Sequence, residues 1–399
     1  MKKIELLLAI FFSATSISAQ VIVTDTSSFE RVTHYMKVDK TYCSGMHTLE
    51  AIFPYMQNNH YQVIENPVVF SNGQVRDNAE GGNKYIGYSL HTAELEQLGN
   101  VFNLGMSFDV ATININVNFD AIETIYPYDT TSKEYIENTG DITTCVLPHH
   151  PHIEGVANEI WAQSSDIIDY ARRCYEYTAT HLDYLDSNTG IHSLQDIIGK
   201  GGGDCGNFSS YYISLLRNRD IPARHVVGVM GQDNYHVWSE FYLQNYGWIP
   251  VDPTFKHGNP NGDYFGHKNS PHYITTLGVE LTNYKFAESD EPMQLELMQL
   301  LYYMWWTYDP CTSTEFDFKI ERTPTAINNH THMAENGISI YTHDKRIFVE
   351  GSNGERMQVF DMTGRIVGTS NNGSVTVPTT GVYLVKIENR FTRKLVVVQ

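Results

Sequence analysis

Positive charge is scarce in this chain. Lys and Arg number 27 against 46 Asp and Glu in 399 residues, a formal net charge of −19. Contact with nucleic-acid phosphates needs a basic face, and so does electrostatic attachment to anionic lipid, so the balance argues against both partners. Cysteine is also sparse, at Cys43, Cys145, Cys174, Cys205 and Cys311, and no C-x-x-C pair occurs, which argues against structural zinc. No stretch approaches 18 consecutive apolar residues, so no transmembrane span is expected. Apolar residues still make up 41% of the chain, enough to bury cores and to exclude wholesale disorder. Aromatics are plentiful at 12%, with 26 Tyr, and the length predicts two to three domains.

The first residues point out of the cytoplasm. Lys2 and Lys3 precede the apolar run Leu6 to Phe12, and small residues follow up to Ala19. This reads as a cleaved secretory signal over residues 1–19, with Gln20 as the mature start. In an oxidising compartment an odd cysteine count leaves at least one thiol outside any intramolecular disulfide. If one cysteine is a nucleophile, the other four allow three pairings, or they are simply buried small hydrophobes.

Four further segments follow. Residues 20–155 read as β-rich, with period-two alternation over Ala111–Phe119 and turns at Ser71-Asn72-Gly73 and Gly81-Gly82-Asn83. Pro148-His149-His150-Pro151-His152 reads as a linker loop rather than a metal clasp. In 156–285, Ile167, Ile168, Ala171, Tyr175 and Ala179 recur at helical spacing. The run from Asp186 begins like a calcium loop, but Ile197 stands where a bidentate Glu is needed, so it reads as a helix terminator. Residues 286–336 read as a helix, Glu288 to Met304, and a polar linker. Residues 337–399 read as short strands with regular turns, a small β-sandwich. No cofactor or metal site is expected anywhere.

The chemistry concentrates in one place. Gly201-Gly202-Gly203-Asp204-Cys205 runs into a helical pattern in which Phe208, Tyr211, Tyr212, Leu215 and Leu216 share a face. Cys205 therefore sits at a helix N-terminus, where the macrodipole and free N–H groups favour an anion on the sulfur. The same N–H groups can serve as half of an oxyanion hole. His236–Leu243 alternates as a strand with His236, Trp238, Glu240 and Tyr242 on one face; Gln244–Gly247 turns, and Trp248–Asp252 returns. Folding that hairpin brings Asp252 beside His236, where a carboxylate fixes the imidazole for the thiol. Nucleophile, base and orienting group are then Cys205, His236 and Asp252. Trp238 and Trp248 are read as core residues before channel walls, and Glu240 as a solvated strand position.

Gly203-Asp204-Cys205, Leu215-Leu216-Arg217, Ile221-Pro222-Ala223-Arg224, His236-Val237-Trp238-Ser239-Glu240 and Gly247 to Thr254 together resemble the transglutaminase-like superfamily core. The resemblance implies an α+β, papain-like fold, with the cysteine helix packed on an antiparallel sheet. It places Cys205 at the family nucleophile, His236 at the catalytic histidine and Asp252 at the third member. Phe208 and Ser209 replace the small residues usual after the cysteine. In the last segment, Val359 to Arg365, Gly381 to Lys386 and Arg393 to Val398 resemble the C-terminal sorting domain of type IX secretion cargo, although Pro378-Thr379-Thr380 departs from the usual pattern. That resemblance implies an outer-membrane exporter as partner and a secreted or cell-surface location. The expected activity is attack on protein or peptide amides through a thioester, resolved by water. Cross-linking to a lysine and a non-catalytic adhesion module are the alternatives.

Overall fold

A computed structural model describes residues 21–43, 45–77, 82–185, 190, 192–231, 234–278, 281–285, 293–296, 302–309, 313–324, 333–335, 338–343, 346–350, 356–361, 366–378, 381–387 and 391–397. The expected signal over 1–19, the calcium-like residues 186–189 and Cys311 lie outside them. The chain divides into two compact units, Met1–Thr323 and Pro324–Gln399. The fold is α+β, as the residue patterns imply.

The alternation read at Ala111–Phe119 is the end of a 17-residue strand, Val101–Val117. Four shorter strands pair with it antiparallel: Ile22–Thr26, Glu30–Asp39, Gln62–Val69 and His267–Lys268. On Glu30–Asp39 every second residue is buried, and Val32, Met36 and Val38 pack with Leu104, Met106 and Phe108. A second sheet runs in the order Tyr303–Tyr308, Met46–Tyr55, Lys84–His91, Gln74–Asp77. Here the expected helix over Glu288–Met304 is overturned. Met293–Glu296 and Tyr303–Tyr308 are strands, the latter paired with Met46–Tyr55. A Tyr-Met-Trp-Trp-Thr-Tyr run suits a pleated surface, and a long-range edge was there to receive it.

The segment that follows supplies four principal helices, Pro151–Trp161, Ile167–His181, Leu194–Lys200 and Cys205–Arg217. The expected linker at Pro148–His152 gives way to the start of the first of these. Pro is accommodated in a helix's opening turn, and the His150 side chain accepts from His152 N. All 13 residues of Cys205–Arg217 are buried. They pack on an antiparallel sheet ordered Gly247–Val251, Asn234–Leu243, Ala223–Gly231, Tyr273–Leu277. Each large side chain in that contact, such as Phe208 or Leu215, contributes about 1.5–3 kcal/mol by leaving water. Tyr61, Ile115 and Val117 of the β-rich region belong to the same buried cluster as these helices, so the two regions share a core.

The motif Leu215-Leu216-Arg217 acquires a structural meaning here. Arg217 is buried, and its guanidinium donates to the carbonyls of Ala223 and Gly140, pinning the helix end to the strand that follows. Cys145, Cys174 and Cys205 are free and Cys43 is disulfide-bonded, which removes Cys145 and Cys174 from the pairings considered above. Burial pushes the Cys174 thiol up, so it behaves as a small hydrophobe.

In the second unit two four-stranded antiparallel sheets enclose one core of Ile347, Val349, Met357, Val359, Val375, Val377, Tyr383, Val385 and Ile387. That is a small sandwich. The motif residues Met362–Arg365 lie outside the described residues.

Candidate active site

Cys205 opens its helix. Asp204 is the N-cap, its Oδ1 accepting from Asn207 N at 3.1 Å and Asn207 Nδ2 at 2.9 Å, and its Oδ2 accepting from Gly190 N at 2.9 Å. The cap satisfies one of the helix's free donors and fixes the direction in which the chain enters. Gly202 has a steric reason: a Cβ there would meet the Asp183 carbonyl oxygen at 1.9 Å. The sulfur-bearing side chain packs with Val227 and Val237 of the sheet. Ser209, which replaces a small residue, is buried and donates to Cys205 O at 3.0 Å, so it fits without disturbing the helix.

His236 and Asp252 meet as the hairpin count requires. Ser239 pairs with Val251, the next residue on the return is Asp252, and His236, two residues off the directly opposite position, donates from Nε2 to Asp252 Oδ2 at 2.6 Å. The other oxygen of Asp252 accepts from Phe255 N at 2.8 Å, so the same carboxylate caps the short helix Pro253–Gly258. Phe255 then stacks on the imidazole, with centroids 4.3 Å apart and planes 7° from parallel. The Cys205 side chain lies close enough to His236 to act on its protonation. Burial disfavours the imidazolium, but the charge and hydrogen bond of Asp252, with the nearby Cys205, outweigh it and push His236 up to about 10. The structure thus joins His236 to Asp252 directly and places Cys205 near the imidazole. With a protonated imidazole beside a sulfur, this arrangement can hold a nucleophile and deliver a proton to a leaving group.

Glu240 departs from expectation. It is 0% exposed, and its carboxylate accepts from His60 Nε2 at 2.7 Å, Tyr61 Oη at 2.6 Å and Arg224 Nε at 2.7 Å. Burial raises its pKa, but His60 and Arg224 outweigh that and hold it at about 2. The solvated reading failed because two of the three partners lie about 180 residues earlier in the chain. Trp248 lies under the Arg224 guanidinium, 3.9 Å from it, and acts as structure.

Three side chains around the pair carry no spacing signal and were missed: Tyr61, Lys268 and His272. Tyr61 sets its edge on Trp238, with centroids 5.8 Å apart, and Trp238 stacks toward His236 at 6.0 Å. Gly228, opposite His236 in the sheet, makes room for this group. A Cβ there would come within 2.7 Å of the Trp238 ring and 2.8 Å of His272 Cβ.

Residues 154–253 match the family model of the transglutaminase-like superfamily. The chain carries a transglutaminase-like superfamily domain. An uncharacterized protein, YebA of Bacillus subtilis (strain 168), is 30% identical over 109 residues, covering 20% of this chain. The chain spans only 15% of the length of that relative. Among solved structures, a candidate cysteine protease from Cytophaga hutchinsonii is 13% identical with a TM-score of 0.48, covering 77% of this chain and 95% of that one. The periplasmic domain of TgpA from Pseudomonas aeruginosa is 15% identical with a TM-score of 0.30, covering 56% and 90%. Red sea bream transglutaminase is 10% identical with a TM-score of 0.25, covering 89% and 93%.

Proposed function

We propose that the protein is an exported cysteine enzyme that attacks protein or peptide amides and hydrolyses them through a thioester. The observation that carries this is the 2.6 Å contact between His236 and Asp252, with Cys205 at a helix N-terminus near the same imidazole. In the first step the Cys205 sulfur, its proton held by His236, attacks the carbonyl carbon. The C–S bond forms and the carbonyl π electrons move to oxygen. The Cys205 N–H at the open end of the helix is one donor for that oxyanion; loss of one such donor costs about 2.7–4 kcal/mol in comparable sites. His236 then gives its proton to the nitrogen as the C–N bond breaks, releasing the amine and leaving a thioester. Water, deprotonated by the now neutral His236, attacks the thioester and yields the carboxylic acid and the thiol. Asp252 keeps one imidazole nitrogen occupied so that the other faces sulfur throughout.

The signal-like residues 1–19 and the terminal segment's likeness to type IX cargo support export to the cell surface or medium, with the outer-membrane exporter as partner. The test of the reaction is mass spectrometry of a peptide mixture incubated with the protein, with and without a primary amine. Cleaved or deamidated products support hydrolysis. Amine-bearing products assign the acyl group to transfer instead, and no product in either arm refutes catalysis. Cys205→Ala should abolish every product and leave the thermal melt in place.

A further inference from the structure

His272 lies beside His236, and Lys268 is near enough to His272 for its charge to act on it; the mechanism uses neither. His272 is 5% exposed, its ring centroid 6.0 Å from that of His236 and 6.2 Å from that of Trp238. Neither of its ring nitrogens has a hydrogen-bond partner among the described residues. Lys268 is 4% exposed. Its Nζ donates to Ile113 O at a long 3.4 Å and stands 6.0 Å from the centre of the Tyr61 ring, with no carboxylate paired to it among the described residues. Tyr61 in turn lies against Trp238, so the ammonium, the imidazole and the catalytic histidine line one group of rings.

Three arginines of this unit are provided for. Arg217 donates to three carbonyl contacts of 2.9 Å or less, and Arg224 holds Glu240. Arg322 holds Glu30. Lys268 stands apart from these. A buried charge without a partner is unfavourable, and so is a buried imidazole with both nitrogens unmet; one anionic group with two oxygens would relieve both. We infer that Lys268 and His272 form a subsite for a carboxylate carried by the substrate next to the amide under attack.

Burial, together with the charges of His236 and Lys268, pushes His272 down to about 4. At neutral pH it is an uncharged donor that supplies one N–H, while Lys268 supplies the charge. A charge-assisted hydrogen bond of this kind is short and strong, and a neutral amide in the same place would lose the ionic part. The carboxylate can come from an Asp or Glu side chain or from the free C-terminus of a peptide. This inference rests on the hydrolytic reading of Cys205 and names the substrate class for it.

The test uses the whole chain and two matched peptide pairs. One pair carries Glu or Gln beside the scissile amide; the other ends in a free carboxylate or a carboxamide at that place. The carboxylate member of at least one pair should be favoured about tenfold or more in kcat/KM, and the favoured pair identifies the source. In Lys268→Met the preference should fall below about twofold, and Lys268→Arg should restore most of it. A readout without turnover is the ratio of iodoacetate to iodoacetamide labelling rates at Cys205, which should drop about tenfold in Lys268→Met. If that variant does not fold, succinate should slow iodoacetamide labelling of Cys205 in the unaltered protein while succinamide does not. Equal use of both members of both pairs overturns the subsite, as does a folded Lys268→Met that keeps its preference. Labelling of Cys205 no faster than an ordinary thiol overturns the hydrolytic reading itself. Fast labelling that is blind to charge overturns the subsite alone.

Discussion

Two carboxylate–imidazole pairs meet the strand Asn234–Leu243, four residues apart on one face. At His236 the strand supplies the imidazole and the carboxylate arrives from the hairpin's return; at Glu240 the strand supplies the carboxylate and the imidazole is His60 from the β-rich region. Both carboxylates are buried and both contacts are below 2.8 Å. They differ in what is left over. Asp252 spends one oxygen on a helix cap and one on the histidine, leaving that histidine's other nitrogen for sulfur. Glu240 is closed on every side by His60, Tyr61 and Arg224, with no reactive group in the circle. The first pair is open toward chemistry, and the second ties the β-rich region to the strand that carries the histidine.

Asp252→Asn should separate the two most sharply. The Asn oxygen can still accept from Phe255 N, so the cap survives, but the charge that holds His236 up is gone, and stability at neutral pH should fall by about 3–5 kcal/mol. Its amide then points N–H at His236 Nε2 and forces the opposite tautomer, with an N–H facing the sulfur. Turnover should fall about 10⁴-fold, as replacement of the orienting carboxylate does in comparable triads. The pH dependence has a definite sign. A histidine held up contributes stability fully below its unfolded value and loses it as pH rises through about 10. The wild-type activity and melt should therefore decline over that alkaline range, and the variant's decline should begin at lower pH. Unchanged turnover in Asp252→Asn would dissolve the distinction between the pairs.

Glu240→Gln tests the other side. Removing the charge leaves Arg224 and its neighbours around a neutral amide in a buried place, a change worth about 3–5 kcal/mol of stability. Urea unfolding should read the loss. For a carboxylate held down at about 2, the stability is present above its ordinary value near 4.5 and is lost as pH falls toward 2. Acid titration of the melt should show that loss in the wild type and not in Glu240→Gln. Turnover per folded molecule should fall far less than in Asp252→Asn.

The contrast also explains what could be read from the chain alone. Cys205, His236 and Asp252 were legible because their juxtaposition follows from local counts: glycines before a helix, period two along a strand, a four-residue turn. The cap on Asp204 and the buried face of the cysteine helix follow the same logic. Glu240 was misread because period two says which face a residue takes, and the chain does not announce that His60 and Tyr61 will cover that face. Tyr302–Tyr308 was misread for the same reason, since an aromatic run joins whatever element offers an edge, here Met46–Tyr55. Pro151 was read into a linker loop when it opens a helix. His272 and Lys268 had no local signal at all; the fold sets His272 against His236 just before the strand Tyr273–Leu277.

Gly228→Ala offers the finest test, since it touches the open pair and leaves the closed one alone. Gly228 lies opposite His236 in the sheet, and an added methyl would press within 3 Å of both the Trp238 ring and His272 Cβ. Neither can yield freely: Trp238 is held edge-on by Tyr61, and His272 is followed by the paired strand Tyr273–Leu277. Overpacking of this kind costs about 1–3 kcal/mol. The displaced Trp238 is the ring that stacks toward His236, so kcat/KM should fall more than the lost folded fraction accounts for. The Glu240 circle is built from other side chains, so the acid titration of the melt should keep its wild-type shape. A melt and a rate both equal to wild type would mean that the rings around His236 have room to move, and that the open pair is no more tightly built than it needs to be.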